Sequence, residues 1–185
     1  MEGPINNEVE MKVLKEGMCP SLSGRSSLTY HIGCRNDRLG KDGPEFIEGI
    51  SFRIHHNSGS GLFSDQWVSV ISLKPIFDKE KSQDAVTSAS LSSVFTGSSV
   101  NTAGFILAVL KAEGLVVHMP EKRRYYQCAS TDQFFAATKI LADATNSGDT
   151  INVPETINDG AAVMPIEIED VSTAKPMQIG KGKKR

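Results

Sequence analysis

The sequence predicts an α+β protein: a small antiparallel sheet followed by a helical unit that carries a hairpin. Three observations predict it. Apolar and polar residues alternate in short runs between Met11 and Leu73. Between Thr87 and Cys128 the apolar spacing turns helical twice and then returns to strand. From Ser130 it is helical again. Strands grouped ahead of helices mark α+β architecture rather than an alternating α/β one.

A chain of 185 residues makes one large domain or two small ones and buries a core without staples. The expected divisions are a polar lead-in over 1–10, a β region over 11–73, a helical unit with a C-terminal helix over 74–145, and a flexible tail over 146–185. A net charge of −2 argues against charge-driven, histone-like nucleic-acid binding but allows a local basic patch. The three cysteines, Cys19, Cys34 and Cys128, form no CxxC pair, so they read as reduced thiols. No apolar run approaches membrane-spanning length, and Met1-Glu2-Gly3-Pro4-Ile5 is acidic rather than signal-like. The expected location is cytoplasmic, with no membrane partner.

In the β region, Met11 to Glu16 reads as a short strand that Gly17 ends. A polar loop follows from Cys19 to Ser27. Its Gly24-Arg25-Ser26 is not a phosphate loop, since Cys19 and Arg25 stand where a Walker motif needs Gly and Lys. From Leu28 to Cys34, alternation points Leu28, Tyr30, Ile32 and Cys34 inward and Thr29, His31 and Gly33 outward. Turn signals sit at Asn36-Asp37 and from Gly40 to Pro44. Phe46 to His56 reads as strand, with Ile50, Phe52 and Ile54 inward and Ser51, Arg53 and His55 outward. Asn57 to Gly61 makes a turn, and Trp67 to Leu73 reads as a third strand. If these strands are neighbours in register, Thr29, His31, Arg53 and His55 share one face. That face is either a polar surface for nucleic acid or an acidic partner, or an ordinary solvated one. His31 and Cys34 fall on opposite sides of a strand, and four convergent ligands are not evident, so neither metal nor cofactor is expected.

In the helical unit, Pro75 to Lys81 reads as a first helix with Pro75 in its first turn. Thr87 or Ser88 caps a second, with Leu91, Val94 and Phe95 on one side and Gly97 as its stop. A third helix should run from Thr102 to Glu113, capped by Asn101 or Ser99, with Phe105, Ile106, Val109 and Leu110 in a stripe. Gly114 falls where a helix ends left-handed, and Leu115 where it packs back on Leu110. Val116-Val117 and Tyr125-Tyr126 then read as two strands with Lys122, Arg123 and Arg124 at the tip between them. Ser130 should cap a last helix, with Gln133 at capping-box spacing and Phe134, Ala137, Ile140, Leu141 and Ala144 on its apolar side. That side packs on the hairpin, elsewhere on its own domain, or on a second copy of the chain.

The segments Asn101-Thr102-Ala103-Gly104-Phe105, Leu110-Lys111-Ala112-Glu113-Gly114-Leu115 and Arg123-Arg124-Tyr125-Tyr126 resemble the winged helix-turn-helix superfamily, over residues 87–128 only. The resemblance implies that Ser98, Ser99, Asn101 and Thr102 face DNA bases, with Lys111 on the same helix a further nucleic-acid-binding candidate. It implies that Lys122, Arg123 and Arg124 face phosphate. The helix departs from a good base reader in carrying one Lys and no Arg. The expectation is a DNA-binding regulator or accessory protein. The alternative is a non-catalytic interaction module that docks on a protein partner, or on itself, within a larger nucleoprotein assembly.

The tail carries five acids between Glu155 and Asp170, and then the bases Lys175, Lys181, Lys183, Lys184 and Arg185. Lys181, Lys183, Lys184 and Arg185 join His31, Arg53 and His55 as secondary candidates for phosphate contact; otherwise the basic end is a solubilising terminus. The sequence shows no nucleophile elbow and no zincin spacing among its histidines, and no enzyme activity is expected.

Overall fold

Leu28, Tyr30, Ile32 and Cys34 alternate along one strand, and all four are buried, as a sheet with one face on a core requires. In the computed structural model the described residues are 10–77, 85–92, 94–95, 99–120, 122 and 124–147. All belong to the first of two units, Met1–Asn152; the second is Val153–Arg185. The sheet comprises β1 (Met11–Pro20), β2 (Ser27–Arg35), β3 (Ile50–Asn57) and β4 (Val68–Ser69), antiparallel in the order β1-β2-β3-β4. Its register puts Lys15, Ile32 and Phe52 in one row and Gly17, Tyr30 and Ile54 in another, on the core face. Glu16, His31 and Arg53 form a row on the opposite face.

Three expectations in this half need correction. Gly17 does not end β1, which runs on to Pro20. The Tyr30 ring lies where a Gly17 side chain would stand, 2.5 Å from an ideal Cβ, so the glycine admits the ring and the strand continues. Residues 46–49 are not strand but the end of α1 (Gly43–Gly49), which has Pro44 in its first turn and buries Phe46. Trp67 to Leu73 is strand only at β4. Val70 begins α2 (Val70–Phe77), where Val70, Leu73 and Ile76 are buried at helical spacing. Pro75 therefore sits inside this helix rather than in its first turn. Residues 78–81, expected to continue it, lie outside the described residues.

The second half follows the sequence more closely. The helix α3 (Ser88–Ser92) starts with a reciprocal cap: Ser90 N–H donates to Thr87 Oγ1 and Thr87 N–H to Ser90 Oγ, each at 3.2 Å. Leu91 is fully buried, with Val94 and Phe95 packed against the same core. Gly97, the expected stop, is not among the described residues. The helix α4 (Val100–Ala112) has Ser99 as its N-cap. It ends in a left-handed Gly114 (φ +73°). Leu115 N–H donates to Leu110 O at 2.9 Å and Gly114 N–H to Lys111 O at 3.1 Å, the paired bonds of a Schellman cap. β5 (Val116–His118) and β6 (Tyr126–Cys128) form a hairpin. Val86 exchanges both backbone hydrogen bonds with Tyr126, so the order across this small sheet is Val86, β6, β5.

The last helix, α5 (Asp132–Ser147), is rotated from expectation. It buries Phe134, Thr138 and Ala142, whereas Ile140 is 65% exposed. Thr138 fits inside because its hydroxyl donates to Phe134 O at 2.8 Å, so it is not buried unbonded. The buried side rests on the large sheet of its own domain, with Phe134 stacked on Phe52 at 5.6 Å, and not on the hairpin strands. One cluster of buried residues joins β2, β3, α2, α4, α5 and the hairpin, so sheet and helices share a single core.

Replacing Gly17 with Ala drives a methyl into the Tyr30 ring. Urea unfolding is expected to show a loss of about 1–3 kcal/mol, the usual cost of overpacking.

Candidate functional site

Recognition by a helix-turn-helix needs the start of its second helix bare. Here the segment after β3 lies across that start. Leu62 O accepts from Ser99 Oγ at 2.7 Å and from Asn101 Nδ2 at 3.0 Å. Ser64 N–H donates to Thr102 Oγ1 at 3.1 Å, and Thr102 is 1% exposed. Thr102, expected to face bases, is thus buried and already accepts a bond from this segment. Ser99 Oγ and Asn101 Nδ2 both donate to the same segment, and Asn101 is otherwise exposed. The body of α4 is enclosed as well: Ala103, Ile106, Leu107, Ala108, Val109 and Leu110 are all buried. The sequence suggested one apolar stripe on this helix; the structure buries almost its whole circumference. Lys111 is exposed in its last turn. Ser98 lies outside the described residues.

A polar clamp holds the sheet on this helix. Glu113, just past α4, has a side chain only 8% exposed. Lys15 Nζ from β1 donates to both of its carboxylate oxygens, at 2.8 and 2.9 Å. The Tyr30 hydroxyl from β2 donates to Oε1. Burial first, then this hydrogen bond and the carboxylate charge, push the Tyr30 phenol up. Burial, with Glu113 adding to it, pushes the Cys19 thiol up to about 11. Burial likewise lifts Cys34 to about 11. Both thiols are thus held protonated and are poor nucleophiles. A cavity of about 190 Å³ opens beside Lys15 and Glu113, walled by Ile32, Phe134 and Leu141. Lys15, Tyr30 and Glu113 were not candidates from sequence. Their only signal was Lys15 on an otherwise inward row, legible once the register is known.

At the hairpin tip, Lys122 and Arg124 are exposed. Arg124 takes a left-handed backbone (φ +79°), uncommon for a residue with a Cβ, and Tyr125 N–H closes the turn onto Lys122 O at 3.1 Å. The tip thus presents two cations on one turn. Arg123, Lys181, Lys183, Lys184 and Arg185 lie outside the described residues.

On the outer face of the large sheet, the register brings His31 directly opposite Arg53. A bulge follows: Thr29 pairs with His56 and Tyr30 with Ile54, which leaves His55 as the additional residue. The His55 ring stacks on His31 at 4.4 Å. His31 is 6% exposed, so it is not a solvated residue despite its outward direction. Its Nε2 lies 2.8 Å from Glu16 Oε2, and its Nδ1 2.8 Å from Arg53 Nη2. Trp67 covers the group, with Arg53 over its indole at 4.6 Å. An ideal Cβ on Gly33 would come within 2.6 Å of that indole, so only glycine admits it. Three of the four outward candidates, His31, Arg53 and His55, therefore meet in one cluster. Glu16 and Trp67, not singled out from sequence, complete it. Among the described residues, no three His, Cys, Asp or Glu side chains are placed to hold a metal ion. No described helix is long and apolar enough to cross a membrane.

Comparison of the chain with protein-family models, with curated proteins and with solved structures finds no match.

Two expectations follow from the clamp. Glu113→Ala strands Lys15 and the Tyr30 hydroxyl. Chemical denaturation should show a loss of about 1–3 kcal/mol, below the ~3–5 kcal/mol of a fully buried pair because Lys15 is partly in water. The thiols set a pH dependence. Unfolded thiols ionise near the ordinary 9.0, whereas the folded ones keep their protons to about 11. The unfolded chain then holds fewer protons, so stability is expected to fall as pH rises from about 9 to about 11, measured as a declining urea midpoint. Cys34→Ala should reduce that decline without removing it, since Cys19 and the Tyr30 phenol are also held protonated by burial.

Proposed function

We propose that this chain is a non-catalytic interaction module built on a winged helix-turn-helix layout, and not a groove-reading regulator. The layout is supported by element order: α2, the Val86 strand, α3, α4, then β5 and β6 with Val86 beside β6. That order resembles a winged unit, with the N-terminal sheet and α5 as additions.

The observation that carries the reading is the coverage of α4. For this helix to enter a major groove, the 62–64 segment and the sheet would have to leave it. Each fully buried Ile or Leu so exposed costs about 1.5–3 kcal/mol. A good bidentate base contact returns about 1–3 kcal/mol, and α4 offers no arginine to make one. Whole domains are stable by only about 5–15 kcal/mol, so uncovering the helix competes with folding itself. What remains for recognition is the outer sheet face and the hairpin tip. A protein partner within a nucleoprotein assembly fits these surfaces better than a base-specific contact does.

A second reading rests on Lys122 and Arg124. Exposed on one turn, they are suited to phosphate, and the chain would then be an accessory protein that touches DNA backbone without reading sequence.

Fluorescence anisotropy of the full chain with duplex and single-stranded DNA over a salt series separates the two. The interaction reading expects no binding tighter than micromolar at near-physiological salt. The accessory reading expects binding that weakens steeply with salt, ignores sequence and is lost in Lys122→Ala with Arg124→Ala. Tight, sequence-selective binding would return the chain to the regulators and remove the proposal.

A further inference from the structure

The row Glu16–His31–Arg53 is built around one proton. A guanidinium carries donors only, so Arg53 Nη2 at 2.8 Å requires His31 Nδ1 to accept. The ring proton must then sit on Nε2, where it is given to Glu16 Oε2, also at 2.8 Å. One tautomer alone satisfies both neighbours, and the ring is almost out of water. We propose that His31 is a proton-operated latch: protonation at Nδ1 releases Arg53 and turns the outer sheet face from charge-balanced to cationic.

The step is simple in its atoms. A solvent proton adds to the Nδ1 lone pair, and no bond other than the Arg53 hydrogen bond is lost. Two N–H donors then face one another at a hydrogen-bond distance, with an imidazolium beside a guanidinium, and Arg53 has to move. The groups around the ring take sides. Glu16, from β1, draws the proton in by pairing with the imidazolium. Arg53, from β3, resists it, as does the parallel His55 ring once that is charged. Trp67, from the segment before β4, holds the guanidinium against its ring face but offers no hydrogen-bond acceptor to replace Nδ1. Along β2 the flanking outward residues, Thr29 and Gly33, carry no charge. Lys15 belongs to the core face, and His56 lies exposed beside Thr29. Before protonation Glu16 and Arg53 cancel. Afterwards the row carries one net positive charge, with Arg53 freed toward solvent or toward an anionic partner.

The observable is built in, because Trp67 is the sole tryptophan of the chain. Its emission reports on this cluster, where the Arg53 guanidinium lies over the indole and the His31 ring beside it. The full chain is titrated from about pH 8 to about pH 5, the range in which imidazoles charge, while far-UV circular dichroism follows the fold. Wild type is expected to show one reversible emission transition with unchanged dichroism. His31→Gln is expected to abolish it, since the amide donates to Glu16 and accepts from Arg53 but takes no proton. His55→Gln is expected to keep it. Flat wild-type emission, or a transition that survives His31→Gln, overturns the latch. Should His31→Gln fail to fold, imidazole nitrogen NMR of the wild type decides. A proton on Nε2 with a bare Nδ1 at the alkaline end supports the proposal, and the opposite tautomer overturns it.

Discussion

The Glu113 carboxylate, nearly out of water just beyond α4, is the contact on which the rest of the structure depends. Burying a lone carboxylate costs several kcal/mol unless partners replace its hydration. Lys15 and Tyr30 do so, one from β1 and one from β2. Both partners come from the sheet, and the carboxylate belongs to the helical half. The sheet is therefore fixed in position over α4, not merely packed against it. Apolar burial supplies most of the attraction, but it is non-directional. The clamp supplies the register.

That seating covers the helical unit. Here the helix is enclosed, its first turn is tied to the 62–64 segment, and the surfaces left open are the outer sheet face and the hairpin tip. The two glycine–aromatic pairs belong to the same design. Tyr30 lies over Gly17 on the core face, where its hydroxyl reaches Glu113. Trp67 lies over Gly33 on the outer face, where it holds Arg53. Each glycine lets a large ring lie close to a strand, and each ring positions a charged group.

The strand faces of β2 and β3 were legible because alternation depends only on the two-residue period of a strand. The Gly114 cap and the Leu115 return were legible because a left-handed helix end is a local event. The missed elements have one cause. Phe46 to Gly49 and Val70 to Leu73 are short apolar runs, which fit helix and strand alike until the surroundings choose. The rotation of α5 was hidden for a related reason. Thr138 reads as polar, and only its bond to a carbonyl of its own helix lets it face the core, so the stripe seemed to pass through Ile140 instead.

The candidate site divides in the same way. His31, Arg53 and His55 were placed on one face from alternation, on condition that the strands were neighbours. Pairing register is a property of two strands, and no single stretch of sequence states it. The roles of Glu16, Trp67, Lys15 and Glu113 wait on that register, and Thr102 exchanged a surface role for an internal one because a distant segment donates to it. By itself, then, the sequence determined the fold class, the inward residues of each central strand, the caps of the helices and the basic hairpin tip, all set by interactions within a few residues. The tertiary structure alone decided that α4 is covered, that His31 meets Glu16 and Arg53 from its two neighbouring strands, and which helix faces meet the core. Those outcomes depend on contacts between residues up to 98 positions apart, as with Lys15 and Glu113, and local chemistry has no means of selecting among them.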